Sequence, residues 1–147
     1  MKRASGWTGS LTKILVIAIM AGGVALLVSN FLGLNKSSRS AVVEPTTLSP
    51  LAVTGKALFE KSCKSCHGAR GGGTDNGPPF VHDIYNPGHH PDEAFIFAAQ
   101  NGVRAHHWKF GNMPPIAGVS GEDVRAIVQY VRELQQANGI AYRPHTM

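Results

Sequence analysis

Residues 63–67 read Cys63-Lys64-Ser65-Cys66-His67. C-x-x-C-H is the attachment pattern of a c-type haem. Two thiols three positions apart, at a helix end, can each add across one vinyl group on a porphyrin edge. The histidine that follows then lies under the iron as its proximal ligand. Two other chemistries use the same cysteine spacing. A thioredoxin-like redox C-x-x-C wants a strand before the motif and a βαβ pattern around it. Here a helix-like stretch comes before Cys63, and Gly68 and Gly71-Gly72-Gly73 follow. A zinc ribbon needs a second Cys/His pair at knuckle spacing, and the chain has 2 cysteines in all. The motif therefore predicts one covalent haem c on Cys63, Cys66 and His67, with His67 as a metal ligand.

At 147 residues there is room for one small domain and an appendage. The net charge of +5 is unevenly spread. Residues 1–50 hold Lys2, Arg3, Lys13, Lys36 and Arg39 against Glu44 alone, whereas residues 51–147 hold nine Lys/Arg against eight Asp/Glu. The excess basicity flanks an apolar segment. That fits membrane orientation better than nucleic-acid binding, and no nucleic-acid partner is expected.

The apolar segment runs from Ile14 to Leu34, 21 residues without a charge. As a helix it would span about 31 Å, close to the hydrocarbon thickness of a bilayer. Lys2, Arg3 and Lys13 precede it, so the positive-inside rule keeps residues 1–13 cytoplasmic and exports the rest. Lys36 and Arg39 reduce that asymmetry. The competing reading is a cleaved signal peptide with Gly23-Val24-Ala25 as a poor cleavage site. Cutting there would leave Leu26-Leu27-Val28 and Phe31-Leu32 exposed on the mature N-terminus. The expectation is an uncleaved, single-pass signal anchor over residues 14–34 in a bacterial inner membrane. Both readings put the domain on the periplasmic side, where c-type haem is attached.

Residues 35–50 are polar and rich in Ser and Thr, with two prolines and no apolar periodicity. They read as a flexible linker, which would span at most about 55 Å extended and some 20–25 Å coiled. The alternative is an extended arm packed on the domain.

The domain, residues 51–147, opens with a helix near 50–62, with Ser49 as N-cap and Pro50 in the first turn. Leu51, Gly55, Leu58 and Phe59 share one face. Gly55 costs about 1 kcal/mol in propensity relative to Ala, a cost that makes sense where another helix crosses closely. The expected partner is a helix near 121–136, where Val124, Ile127, Val128, Val131 and Leu134 form an apolar stripe beside Tyr130. A further helix begins at Pro91-Asp92-Glu93 and closes at Asn101-Gly102. Residues 68–90 and 103–120 are loops rich in Gly, Pro, Asn and His. The fold class is therefore all-α, three to four helices around a covalent haem, preceded by one transmembrane helix. A buried porphyrin would supply apolar mass that so few helices lack.

Met113 is the one internal methionine of the domain and sits in Gly111-Asn112-Met113-Pro114-Pro115. The prolines stiffen the loop and place the thioether at little entropic cost. A thioether favours ferrous iron, so His/Met ligation raises the potential. Met113 is taken as the second axial ligand, with His106, His107 or an open position as the alternatives. The remaining ring N–H of His67 needs an acceptor, which the carbonyl of Pro78 can supply, and Phe80 can pack on the ring edge. The plainer reading of Gly77-Pro78-Pro79 is a rigid turn. His82, His89, His90, His106, His107 and His145 fall in loops or at the tail, where histidines are most often solvated. For His106 and His107 the functional options are a haem propionate, a ligand switch or a second metal such as copper. Arg104 and Trp108 are further donors for propionates.

Residues 51–138 resemble a class I, monohaem c-type cytochrome of the membrane-anchored bacterial kind. Gly55 and Phe59 match that family's N-terminal helix, and Ile127 and Tyr130 the C-terminal helix that crosses it. Cys63, Cys66 and His67 match the haem site, Gly77-Pro78 the turn that accepts from the proximal imidazole, and Met113-Pro114 the distal loop. Arg104-Ala105-His106-His107-Trp108 is a departure that the family pattern does not require. The resemblance implies a one-electron carrier, with iron cycling between Fe(II) and Fe(III) and respiratory-chain redox proteins as partners. With both axial positions filled, no enzymatic activity and no small-molecule substrate are expected. Lys56, Lys61, Lys64 and Arg70 flank the motif and can steer acidic partners. The rival functions are an unmodified thiol or copper-handling protein, a haem-based gas or redox sensor, and a fixed haem subunit of a dehydrogenase or oxidase.

Overall fold

The computed structural model describes residues 7–31 and 42–144, which fall into two separate units. The first is a single helix, α1 (Trp7–Phe31). Within it Leu11–Ser29 is long and apolar enough to cross a membrane. The helix starts ahead of the uncharged run and carries Lys13 in its second turn, while residues 32–34 of the expected span lie outside the described residues.

The second unit is helical. Its helices are α2 (Pro50–Ser62), α3 (Lys64–His67), α4 (Asp92–Asn101) and α5 (Gly121–Ala137), with single 3-10 turns at Ala69–Gly71 and Asp83–Tyr85. Among the described residues there is no strand, only one isolated antiparallel bridge between Val103 and Met113.

The scaffold is the crossing of α2 and α5. A Cβ built at Gly55 would overlap the Ala126 carbonyl, so the two backbones touch where no other residue fits. Ala52 and Phe59 extend the contact row, and both are fully buried. Leu51, expected on this face, is instead 52% exposed. So close an approach admits the row through the small Ala52, and the neighbouring row turns to solvent. Opposite lie Ile127, Tyr130, Val131 and Leu134 of α5. Phe59 meets Tyr130 and Phe80 edge-on, with ring centroids 5.7 and 6.3 Å apart. The start of α5 carries a reciprocal capping box between Ser120 and Asp123.

Residues 42–49 fall inside the stretch that composition marks as linker, yet they lie on the domain. The Val43 N–H donates to Asn138 Oδ1 at 2.9 Å, and Asn138 Nδ2 donates back to the Val43 carbonyl at 2.7 Å. Glu44 pairs with Lys56 at 2.5 Å. Ser49 accepts from the Ala52 N–H at 3.2 Å as N-cap of α2, and its hydroxyl donates to Glu133 of α5 at 2.6 Å. A polar, proline-broken segment carries no helical or strand periodicity. It docks through side-chain hydrogen bonds that composition cannot register. Residues 35–41 lie outside the described residues.

Candidate functional site

Cys63 ends α2 and starts α3, so the C-x-x-C-H motif sits on a helix junction. Cys63 is half-buried, Cys66 is exposed, and neither forms a disulfide. Burial, and next the charge of Cys66, push the Cys63 thiol up to about 11. Redox-active C-x-x-C pairs need the opposite, a thiol held low enough to ionise.

His67 is 6% exposed. Its Nδ1 lies 3.0 Å from the Pro78 carbonyl oxygen. A carbonyl can only accept, so Nδ1 carries the proton and Nε2 keeps its lone pair. Burial holds the His67 pKa below the ordinary imidazole value, against a smaller opposing effect of the Pro78 bond. Phe80 stacks on the imidazole face, centroids 4.0 Å apart and planes 20° from parallel, rather than meeting its edge. The loop is folded onto the motif by Gly73 N–H donating to His67 O at 2.7 Å and Phe80 N–H donating to Gly71 O at 2.8 Å. At Gly77 a Cβ would stand 2.7 Å from the Cys66 carbonyl oxygen, so the turn before Pro78 needs glycine.

Cys63, His67, Pro78, Phe80 and Met113 all line one cavity of about 470 Å³. Cys66 is not in that lining. Phe95, Phe97, Val124 and Ile127 make much of its wall apolar. This accounts for α4, none of whose residues is buried and whose Phe97 is 64% exposed. An amphipathic helix has its apolar face turned to a space that protein does not fill.

Met113 is half-buried and held by its backbone. It exchanges two 2.9 Å hydrogen bonds with Val103, and the Ile116 N–H donates to Ala99 O at 2.8 Å. Gly102 turns the chain out of α4 at φ +76°, and a Cβ there would lie 2.6 Å from the Met113 carbonyl oxygen. The loop's stiffness thus comes from α4 as well as from its prolines.

Trp108 Nε1 is buried and makes no hydrogen bond of ordinary length among the described residues, the Tyr85 side chain being close enough for a weak interaction only. Arg104 and Trp108 both line the cavity. Four imidazoles gather, His89 and His90 from one loop and His106 and His107 from another, and all but His89 line the cavity. His82 caps the 3-10 turn at Asp83–Tyr85. His145 lies outside the described residues.

One positioning device escaped the sequence. Arg132 of α5 is 9% exposed, donating to Asp92 at 2.8 Å, to Tyr85 O at 2.8 Å and to His90 O at 2.6 Å. Gln135 is 1% exposed and donates to Phe80 O and Tyr85 O, each at 2.9 Å. Together they hang the 80–92 loop from α5. Their signal was two hydrogen-bonding side chains placed directly beside Val131 and Leu134 in the apolar stripe.

A family model described as Cytochrome c matches residues 52–135, more than half of the chain. No curated protein and no solved structure matches it.

Proposed function

We propose that this chain, which belongs to the cytochrome c family, relays single electrons between redox proteins at the outer face of a bacterial inner membrane. As a member it carries covalently bound haem c and is a haem-based electron carrier. The group supplies a one-electron iron couple; the chain supplies everything that fastens and tunes it.

In this reading Cys63 and Cys66 are the attachment thiols. His67 and Met113 would hold the iron, and both line the cavity. The observation that carries it is the shared lining: His67 with a free Nε2, the thioether of Met113 and the Cys63 thiol border one largely apolar space. Pro78 fixes the tautomer and orientation of His67, and Phe80 keeps the ring in place. The buried indole N–H of Trp108, which lacks an ordinary hydrogen bond, is suited with Arg104 to a propionate carboxylate. With the donor set complete, residues of this chain have no catalytic step to perform.

Leu11–Ser29 supports the membrane location. The basic residues ahead of it support an N-terminus kept inside. Docking to redox partners at the cavity rim is small and transient, as electron-transfer encounters are. Absorption spectra of purified protein, oxidised and reduced, test the carrier reading: a haem spectrum that switches reversibly is expected, and colourless protein with two reactive thiols overturns it. Retention in the membrane pellet after an alkaline wash tests the anchor, and release into the supernatant overturns that part alone.

A further inference from the structure

We propose that His89, His90 and His107, with His106 alongside, form a second metal site that takes a divalent transition-metal ion, copper(II) before zinc.

One ligand nitrogen from each of His89, His90 and His107 lies within 4.8 Å of the other two. The tightest pair, His89 Nε2 and His107 Nε2, is 3.1 Å apart. Two imidazole nitrogens on one ion, with bonds of about 2.0–2.1 Å, stand about 2.9 Å apart at a tetragonal corner and about 3.3 Å apart in a tetrahedron. The pair already stands between these spacings. The His106 ring centroid lies 4.3 Å from that of His107 and 6.1 Å from that of His90, within reach as a fourth donor.

The surrounding bonds prepare the site in the manner of a metal's outer shell. His90 Nδ1 donates to the Ile84 carbonyl at 2.8 Å, which leaves Nε2 as its ligand atom. His106 Nδ1 donates likewise to Arg104 O at 2.9 Å. The backbone N–H groups of His89 and His90 both donate to Asn86 O, at 3.1 and 2.9 Å. Asn86 is 8% exposed, and the His90 carbonyl is held by Arg132. The 86–90 loop is thus a fixed platform.

Imidazole binds a metal ion through its neutral form, by the ring nitrogen that carries no proton. Neutral nitrogen donors without a carboxylate suit copper(II) and zinc, and the Irving–Williams order puts copper(II) first.

The test uses the full chain with haem attached, stripped with chelator and titrated with copper(II) chloride, then with zinc chloride in competition. One copper per chain is expected, with nitrogen hyperfine structure in its electron paramagnetic resonance spectrum and only partial displacement by zinc. His89→Ala/His107→Ala should weaken binding at least about tenfold, with the haem spectrum unchanged, whereas His82→Ala should not. Should the double variant lose its haem, His107→Gln alone carries the same expectation. Absence of saturable binding, or undiminished copper affinity in the variants, overturns the proposal. So does a haem spectrum or potential that shifts on substitution while copper affinity stays the same. None of these outcomes touches the haem reading, which rests on Cys63, Cys66, His67 and Met113.

Discussion

Val103 and Met113 exchange two backbone hydrogen bonds of 2.9 Å, and this bridge is the only β-pairing among the described residues. It binds the methionine loop to the chain leaving α4. The side chain of Met113 is thereby presented to the cavity by a backbone that does not depend on it.

Met113→Ala should therefore keep the loop in place and remove only the thioether. The midpoint potential is expected to fall by on the order of 0.1 V, within the roughly 0.8 V range that axial ligands command. Ferrous protein should bind carbon monoxide rapidly. Redox titration and ligand-binding spectra check this, and an unchanged potential with no new ligand affinity would remove Met113 from its assigned role.

Gly55→Ala sets two effects against each other. Alanine gains about 1 kcal/mol in helix propensity, but its methyl overlaps the Ala126 backbone. Backbone cannot step aside as a flexible side chain can, so overpacking wins and the net loss is about 1–3 kcal/mol. Denaturant unfolding of the haem-loaded protein measures it. A variant as stable as the parent would show that α2 and α5 cross elsewhere.

Arg132→Met should cost about 2–4 kcal/mol, because it leaves Gln135 Oε1 and the His90 carbonyl without a donor and the Tyr85 carbonyl with Gln135 alone. Asp92→Asn should cost no more than about 1 kcal/mol, since the Asp92 side chain is 59% exposed and the pair is solvent-screened on that side. Comparable losses for the two variants, in the same unfolding measurement, would contradict the assignment of Arg132 as the post that carries the 80–92 loop.

Glu133 contributes to the acid side of stability. Its slight burial disfavours the charge, but hydrogen bonds from the Ser49 hydroxyl, Gln129 and the Ser49 N–H outweigh that and hold its carboxyl below the usual range. A depressed folded-state pKa contributes stability that is present above the unfolded value, about 4.3, and is lost as pH falls through the folded one. Glu133→Gln should flatten the stability profile below about pH 5. Ser49→Ala should cost about 1–2 kcal/mol near neutrality, since it removes the cap as well as the tie to α5. An acid limb as steep in Glu133→Gln as in the parent would assign that limb to other groups.

Motif, helices and glycines were legible because each is a local matter. C-x-x-C-H is covalent chemistry at fixed spacing, the stripe on α5 repeats with the helical period, and Gly55 marked a close crossing before any partner was in view. The readings that shifted depend on a neighbour far along the chain. Leu51 turned outward because the geometry at Gly55 admits Ala52 instead, and Phe80 lay on the face of His67 rather than its edge. The segment 42–49, read as part of a linker, is held by Asn138, Lys56 and Glu133, none of which lies near it in sequence except Lys56.

The sequence by itself determined the haem chemistry, the all-helical class and the helices that cross at Gly55, since spacing and periodicity encode bonds and faces directly. Only the tertiary structure decided that two separate loops bring His89, His90, His106 and His107 together, and that Arg132 and Gln135 hold one of those loops in place. Imidazoles about 18 residues apart carry no signal of proximity until the α2–α5 scaffold closes the loops onto one cavity.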